Sequence, residues 1–357
     1  MPRVPESGTV ARRGRPGRRV RAVRSGVPTI LRPRRLPTPL ALALALLLAA
    51  CEGRQSILAP AGEDAAALAT LWWWMLGGAV VLWLLMNGAF FYVVRMRPRE
   101  ISRGLAEGVI IGGGVIFPTV VLAALLTFGL GLMPDMRAPG DALTVHVQGE
   151  QWWWRVRYET DAGETVVAAN EVRLPAGARS EFVLTADDVI HSFWVPALGG
   201  KMDLIPGRTN RTSYKPTEPG TYRGQCAEFC GAAHAQMAFE TVVLAPDDFD
   251  AWLAAEAEPA RPPDGEVARR GAEVFAEEGC GACHAIRGTP ARGMVGPDLT
   301  HVGSRVSIGG MLPNDVDGFA HWVRYTDRVK PEVRMPSYPH IPEPDLLALA
   351  TFLEGLR

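Results

Sequence analysis

The chain has 357 residues, 48% of them hydrophobic and 21% charged, so it is long enough for two or three domains with apolar cores. Its net charge of −1 hides an imbalance: the first 35 residues hold 11 Arg and one acid, Glu6, and the remainder carries 26 basic and 37 acidic side chains, a net of −11. A basic run outside any folded pattern gives no sign of nucleic-acid binding, the acidic body suits a basic partner, and five Cys, four of them in two ligand-like motifs, argue against a disulfide framework.

Residues 1–39 are Arg- and Pro-rich without periodicity, and residues 40–50 form an apolar run. Eleven such residues are too few to span a membrane and suit the core of a signal peptide over 1–50. Leu48-Ala49-Ala50-Cys51 resembles a bacterial lipoprotein cleavage box, which makes Cys51 a lipidation site; the alternative is an uncleaved apolar patch with an idle thiol. After an external segment, 51–70, residues 71–94 carry no charge and suffice to cross a hydrocarbon layer of about 30 Å. Trp72, Trp73, Trp74 and Tyr92 sit near its ends, as interfacial aromatics do. The loop 95–108 holds Arg95, Arg97, Arg99 and Arg103, and 109–133 is a second uncharged span that includes Pro118. Four Arg in a short loop place it in the cytoplasm, so the N-terminus and everything after residue 134 face outward. This predicts a multi-pass protein of a bacterial plasma membrane with its domains on the periplasmic or extracellular side; two buried core helices are the alternative.

Residues 142–245 read as strands, within a domain that extends over 142–255. Leu143–Val147, Trp154–Tyr158 and Glu181–Leu184 alternate with period two between Gly and Pro turns, which predicts an antiparallel sandwich. In Gln151-Trp152-Trp153-Trp154 three neighbouring indoles cannot all be core: either Trp152 and Trp154 share a face or Trp153 stands alone opposite.

Within this region Cys226, Cys230, His234 and Met237 follow at spacings of four, four and three. Thiolates, imidazole and thioether are ligands that copper prefers. A blue-copper site needs one Cys, so a second suits two coppers sharing two bridging sulfurs. A second His must come from elsewhere, and His191 in His191-Ser192-Phe193-Trp194 is the candidate. The alternatives are a Cys226–Cys230 disulfide or structural zinc, which more often shows Cys-x2-Cys pairs. A Pro-rich linker, 256–264, leads to a third region, 265–357. Cys280-Gly281-Ala282-Cys283-His284 is the attachment signature of a c-type haem, with two Cys for covalent bonds and His284 as axial ligand; a redox dithiol or zinc pair is the alternative. The sixth ligand should be a downstream Met. Met335 is favoured over Met294 and Met311, since Met335-Pro336 lies shortly before a final helix at Asp345–Leu356. His301, His321 and His340 read as surface or supporting residues.

His191 with Cys226-x3-Cys230-x3-His234-x2-Met237, together with Lys201–Arg208 and Pro219–Cys226, resembles subunit II of cytochrome c oxidase, over most of the chain after residue 70. The C-terminal haem region makes it similar to the caa type. The resemblance implies a two-helix transmembrane hairpin, an all-β cupredoxin sandwich with a dinuclear copper (CuA) site, and an all-α class I cytochrome c domain. It implies that Trp152 lies at the surface above the copper site, where electrons enter; the alternative is a sandwich-core or membrane-facing aromatic, the favoured reading for Trp154. It gives Glu228 two roles, a backbone carbonyl on copper and a carboxylate on magnesium shared with subunit I. Asp203 and Lys201 become interface residues, and Gly296-Pro297-Asp298-Leu299 resembles the loop that supports the proximal His. The family's Glu two turns before the Pro of the second helix is missing: seven residues before Pro118 stands Ile111, and the role of Glu107 stays open. The implied function is electron transfer in a proton-translocating oxidase, from a cytochrome c or reductase donor through haem c and CuA to the oxygen-reducing subunit I, with subunit III as a further partner. A nitric oxide reductase subunit and a copper-binding assembly or storage lipoprotein are the other readings. The complete ligand set argues against a quinol oxidase subunit.

Overall fold

The computed structural model describes residues 53–96, 102–136, 138–140, 143–159 and 165–357. The expected signal peptide, Cys51, Arg97 and Arg99 lie outside the described residues. Two helices, α1 (Glu63–Met96) and α2 (Arg103–Met136), are long and apolar enough to cross a membrane. Both extend beyond the uncharged stretches that announce them. α1 starts at Glu63 rather than at Leu71 because Ala61, Ala65 and Ala69 are buried and let its first turns pack closely. There Asp64, itself buried, receives both terminal nitrogens of Arg179 at 3.0 and 3.1 Å. The residues before α1 also belong to the sandwich: the Arg223 amide donates to Arg54 O and the Ala61 amide to Ala197 O. In α2 the run Gly112–Ile116 takes one wider π turn. Glu107 is exposed and pairs with Arg103 one turn away.

Ten strands follow: β1 Leu143–Glu150, β2 Trp153–Glu159, β3 Thr165–Ala169, β4 Glu171–Pro175, β5 Ser180–Ala186, β6 His191–Trp194, β7 Met202–Leu204, β8 Asn210–Tyr214, β9 Gly220–Cys226 and β10 Ala238–Leu244. They form two five-stranded sheets, ordered β3-β2-β1-β5-β8 and β4-β10-β9-β6-β7. The sandwich is not purely antiparallel, as expected from the alternation. β1 pairs parallel with β5 and β10 parallel with β4. The chain leaves the first sheet at β4 and returns at β5, and that excursion turns it back in its original direction. Alternation reveals which face of a strand is buried but not which strand lies beside it. The inward faces supply Trp154, Phe182, Phe193, Tyr214 and Phe239, with Phe193 and Phe239 stacked at 4.7 Å.

Helix α3 (Pro246–Ala257) packs on the sandwich through Phe249 and Trp252, whose ring meets Tyr158 edge-on at 5.3 Å. The Pro-rich linker therefore begins at Glu258. It is pinned to the last region, since the Ala260 amide donates to Arg287 O and His301 Nε2 lies 2.9 Å from Glu258 O. That region holds α4 (Gly265–Glu277), α5 (Val316–Val329) and α6 (Glu343–Glu354). α4 and α6 cross at Gly271, where a Cβ would stand 2.0 Å from Ala348 O. Val274, Phe275, Phe319, Leu349 and Phe352 form the core around them. His301 is buried rather than at the surface, because its ring closes the linker against this domain.

Candidate functional site

Strands β6 and β9 are neighbours, with Phe193 opposite Cys226, so the loop after β9 and the start of β6 meet at one end of the sandwich. The Cys226 amide donates to Met237 O and the Ala227 amide to Ser192 O, which folds Cys226–Met237 into a closed loop. Within it the two thiols stand 3.8 Å apart. Cys226 Sγ faces His191 Nδ1 at 3.9 Å and Glu228 O at 3.1 Å, and Cys230 Sγ faces His234 Nδ1 at 3.5 Å and Met237 Sδ at 3.7 Å. Each half of the site thus offers one imidazole and one weak donor, and the two sulfurs lie between them. This donor set fits two soft ions sharing two thiolates. The ligand atoms of His191, Cys226 and Cys230 all lie within 4.8 Å of one another and are buried.

Close packing holds the loop in place. Gly231 has φ +115, and a Cβ there would meet the Trp152 ring at 2.9 Å, so only glycine gives both the turn and the approach. The His191 ring is fully buried and its Nε2 lies 2.9 Å from Asp188 Oδ1. Asp188 also accepts from the amides of Gln151 and Val189, both at 2.7 Å. Partial burial works against the Asp188 carboxylate, but the bonds from His191 and the two amides outweigh it and keep its pKa below the usual range. A carboxylate on the far nitrogen fixes which imidazole nitrogen is free for a metal. No sequence motif announces Asp188; its place three residues before His191 was the one available signal. Glu228 turns its carboxylate outward, 3.8 Å from Lys201 Nζ, and Asp203 reaches the same ammonium at 3.6 Å.

Trp152 and Trp154 are both buried, while Trp153 is half-exposed under the guanidinium of Arg155. Trp154 belongs to the core. Trp152 Nε1 donates to Cys230 O at 2.9 Å. Its position differs from the expected surface site: only 5% of it is exposed. The helical domain lies over it, and Lys330 Nζ donates to its backbone oxygen at 2.9 Å.

Beside Trp152 lies a largely apolar cavity of about 200 Å³ shared by the two domains. Cys280, Cys283, His284 and Met335 line it from the helical side and Trp152 and Trp153 from the sandwich. His284 Nδ1 lies 2.8 Å from Pro297 O, a bond that leaves Nε2 without a proton and free to bind a metal. Gly296 packs against the same ring, where a Cβ would stand 2.5 Å away. Met294 and Met311 are exposed and do not line the cavity. A thiol pair, an oriented imidazole and a thioether around one apolar cavity fit a haem with two axial ligands.

Residues 161–244 match the family profile of the cytochrome c oxidase subunit II periplasmic domain, and residues 268–357 match that of cytochrome c. Among curated proteins, cytochrome c oxidase subunit 2 of Alkalihalophilus pseudofirmus is 39% identical over 224 residues, 63% of this chain and 64% of that protein. The subunit 2 of Bacillus sp. strain PS3 is 34% identical over 254 residues, 67% of this chain and 69% of that protein. That of Bacillus subtilis is 30% identical, with 68% and 70% covered.

The chain belongs to the cytochrome c oxidase subunit 2 family.

The matches span about two thirds of the length of these relatives. A solved periplasmic domain of cytochrome oxidase subunit II from Bradyrhizobium japonicum is 32% identical, covering 34% of this chain and 96% of that one at a TM-score of 0.32. As a subunit 2 with a fused cytochrome c domain, the chain has two cofactors implied by its domains, copper and haem. Their donor sets occupy neighbouring places in the fold: Trp152 is bonded to Cys230 O of one and lines the cavity bordered by the other.

Proposed function

We propose that this chain is the electron-delivering subunit of a proton-translocating haem-copper oxidase. Its cytochrome domain takes electrons from a cytochrome c or another reductase. The chain passes them by way of Trp152 to the copper domain and on to the oxygen-reducing subunit I, with subunit III in the same complex. Bound copper and haem supply one-electron oxidation and reduction. The residues provide the rest. Cys226 and Cys230 would hold a copper pair between their thiolates, His191 and His234 would each take one ion, and Met237 and the Glu228 carbonyl would be the weak outer ligands. Cys280 and Cys283 would bind haem covalently, with His284 and Met335 as its axial ligands. The Glu228 carboxylate would hold magnesium against subunit I. His191, Cys226, Cys230 and Met237 are buried, which keeps water from the copper site, so little solvent must reorganise there when an electron arrives.

The same reading places α1 and α2 across a bacterial plasma membrane, the loop 95–108 in the cytoplasm and both redox domains outside, anchored also by lipid on Cys51 after removal of 1–50. The observation that carries the proposal is the paired donor set, two sulfurs 3.8 Å apart with an imidazole nitrogen beside each. The test is metal and haem analysis of the full chain with copper electron paramagnetic resonance. Two coppers per covalent haem, sharing one unpaired electron, are expected. A mononuclear copper signal, or zinc in place of copper, would overturn the reading.

A further inference from the structure

The sandwich and the helical domain meet along one boundary, and several charged side chains cross it to reach backbone atoms, Arg287 to Glu256 O among them. Arg155 donates to Met294 O and Arg173 to Ser304 O, both at 3.0 Å, and Glu171 accepts from the Val306 amide at 2.6 Å. Arg155 and Arg173 keep part of their side chains exposed, whereas Glu171 is buried. Lys330 also reaches across and is 2% exposed. Its ammonium donates to Trp152 O and to Gly309 O, both at 2.9 Å, and has no carboxylate partner among the described residues.

Lysine is seldom buried without an anion, because removing the ammonium from water is costly. Burial here pulls its pKa down to about 7. A side chain needed only to fill space at this point would be apolar. What Lys330 supplies is two donors for two buried carbonyls, one from each domain, at the spot where Trp152 borders the haem cavity. Its backbone also ends α5, donating to Thr326 O, so the ammonium extends from a rigid helix end. On the other side of the indole, Trp152 Nε1 reaches Cys230 O. The sequence Lys330, Trp152, Cys230 thus joins the helical domain to the copper loop through two hydrogen bonds and one residue.

We propose that Lys330 is a positioning residue that clamps the cytochrome domain onto the Trp152 edge of the sandwich and so sets the gap electrons cross between the domains. The proposal rests on the reading that electrons pass from one domain to the other at Trp152. It also means that this edge is closed to any external donor, which must deliver electrons to the cytochrome domain instead.

The test uses the full chain carrying copper and haem, with a protease site placed in the linker 258–264, as wild type, Lys330→Met and Lys330→Arg. Two readouts are taken: co-elution of the domains after cleavage, and the rate at which a reduced haem re-equilibrates with copper in the uncut chain. Haem content, copper content and optical spectra report folding; Lys330→Gln, shorter but still a donor, replaces the Met variant should that one fail to fold. With unchanged spectra, Lys330→Met should release the cut domain at roughly tenfold higher concentration, since a charged donor bond to buried carbonyls is lost. It should slow equilibration by about tenfold or more, and Lys330→Arg should recover part of both effects. Unchanged co-elution and an unchanged rate in Lys330→Met would overturn the clamp. Separation of the cut domains with an unchanged rate in the uncut chain would leave the clamp standing and overturn the passage of electrons at Trp152.

Discussion

At the scale of single residues, the copper loop depends on groups that carry no metal. Asp188 ties His191 to the turn before Trp152 through one carboxylate and three bonds. Replacing it by Asn keeps the shape but removes the charge that makes the far nitrogen a firm donor. Asp188→Asn is expected to weaken copper binding by about 10–100-fold, the usual effect of losing such a supporting carboxylate. Competition with a chelator of known affinity measures this, and unchanged affinity would mean that packing alone orients the ring. Four of the six proposed copper-site residues, Cys226, Cys230, His234 and Met237, were legible because they lie within twelve residues, where spacing alone suggests chemistry, while Glu228 between them was read through the family resemblance. Asp188 was not, since an acid before a strand looks like any turn residue. Lys330 was hidden for a similar reason: a lysine after a helix reads as a solvated charge, and its burial is caused by a domain that lies far away in sequence.

At the scale of elements, the cytochrome domain is fastened where α4 crosses α6. Gly271→Ala would drive a methyl group into the Ala348 carbonyl. A loss of about 1–3 kcal/mol of domain stability is expected, as for other overpacked cores. Thermal unfolding followed by the haem absorption gives the value; an unchanged midpoint would show that the helices can part without cost. On the exposed side of the same crossing, Arg270 bonds Asp345 at 2.9 Å and lowers its pKa. A carboxylate held below its unfolded value of about 3.9 adds stability above that pH and loses it as the pH falls through the folded pKa. The difference in stability between wild type and Asp345→Asn should therefore be constant near neutral pH and vanish in acid. A gap that persists at low pH would point to packing rather than charge. The spanning helices, β1, β2, β5 and the final helix were legible from run length, periodicity and turn residues, whereas α3 and α5 were not read from the sequence. The two parallel pairings were not, since pairing partners are chosen by the path of the chain and by the fit of the two sheets.

At the scale of the whole molecule, the order of regions could be read along the sequence, but their mutual placement could not. A Pro-rich linker suggests a tether, yet its residues are bonded to the cytochrome domain and the domain itself is bonded to the sandwich. For that reason Trp152, read as a surface residue, is buried. The segment before α1 likewise belongs to the sandwich, so a fragment beginning at Leu143 would lack part of its own fold. A docked domain makes linker length nearly irrelevant, whereas a tethered one would feel it through effective concentration. Inserting about ten Gly and Ser residues into the linker, which lengthens a flexible tether without stiffening it, is expected to leave haem-to-copper equilibration unchanged. A clear slowing would show that the domain works by repeated encounters.

The central claim is that electrons pass between the two domains at Trp152, and rapid reduction of the haem in the full chain tests it most directly. The haem band should reoxidise in step with loss of the copper absorption, one electron for one, and Trp152→Phe should slow this with both cofactors still bound. A haem that stays reduced beside oxidised copper, or an unchanged rate in Trp152→Phe, would contradict the account.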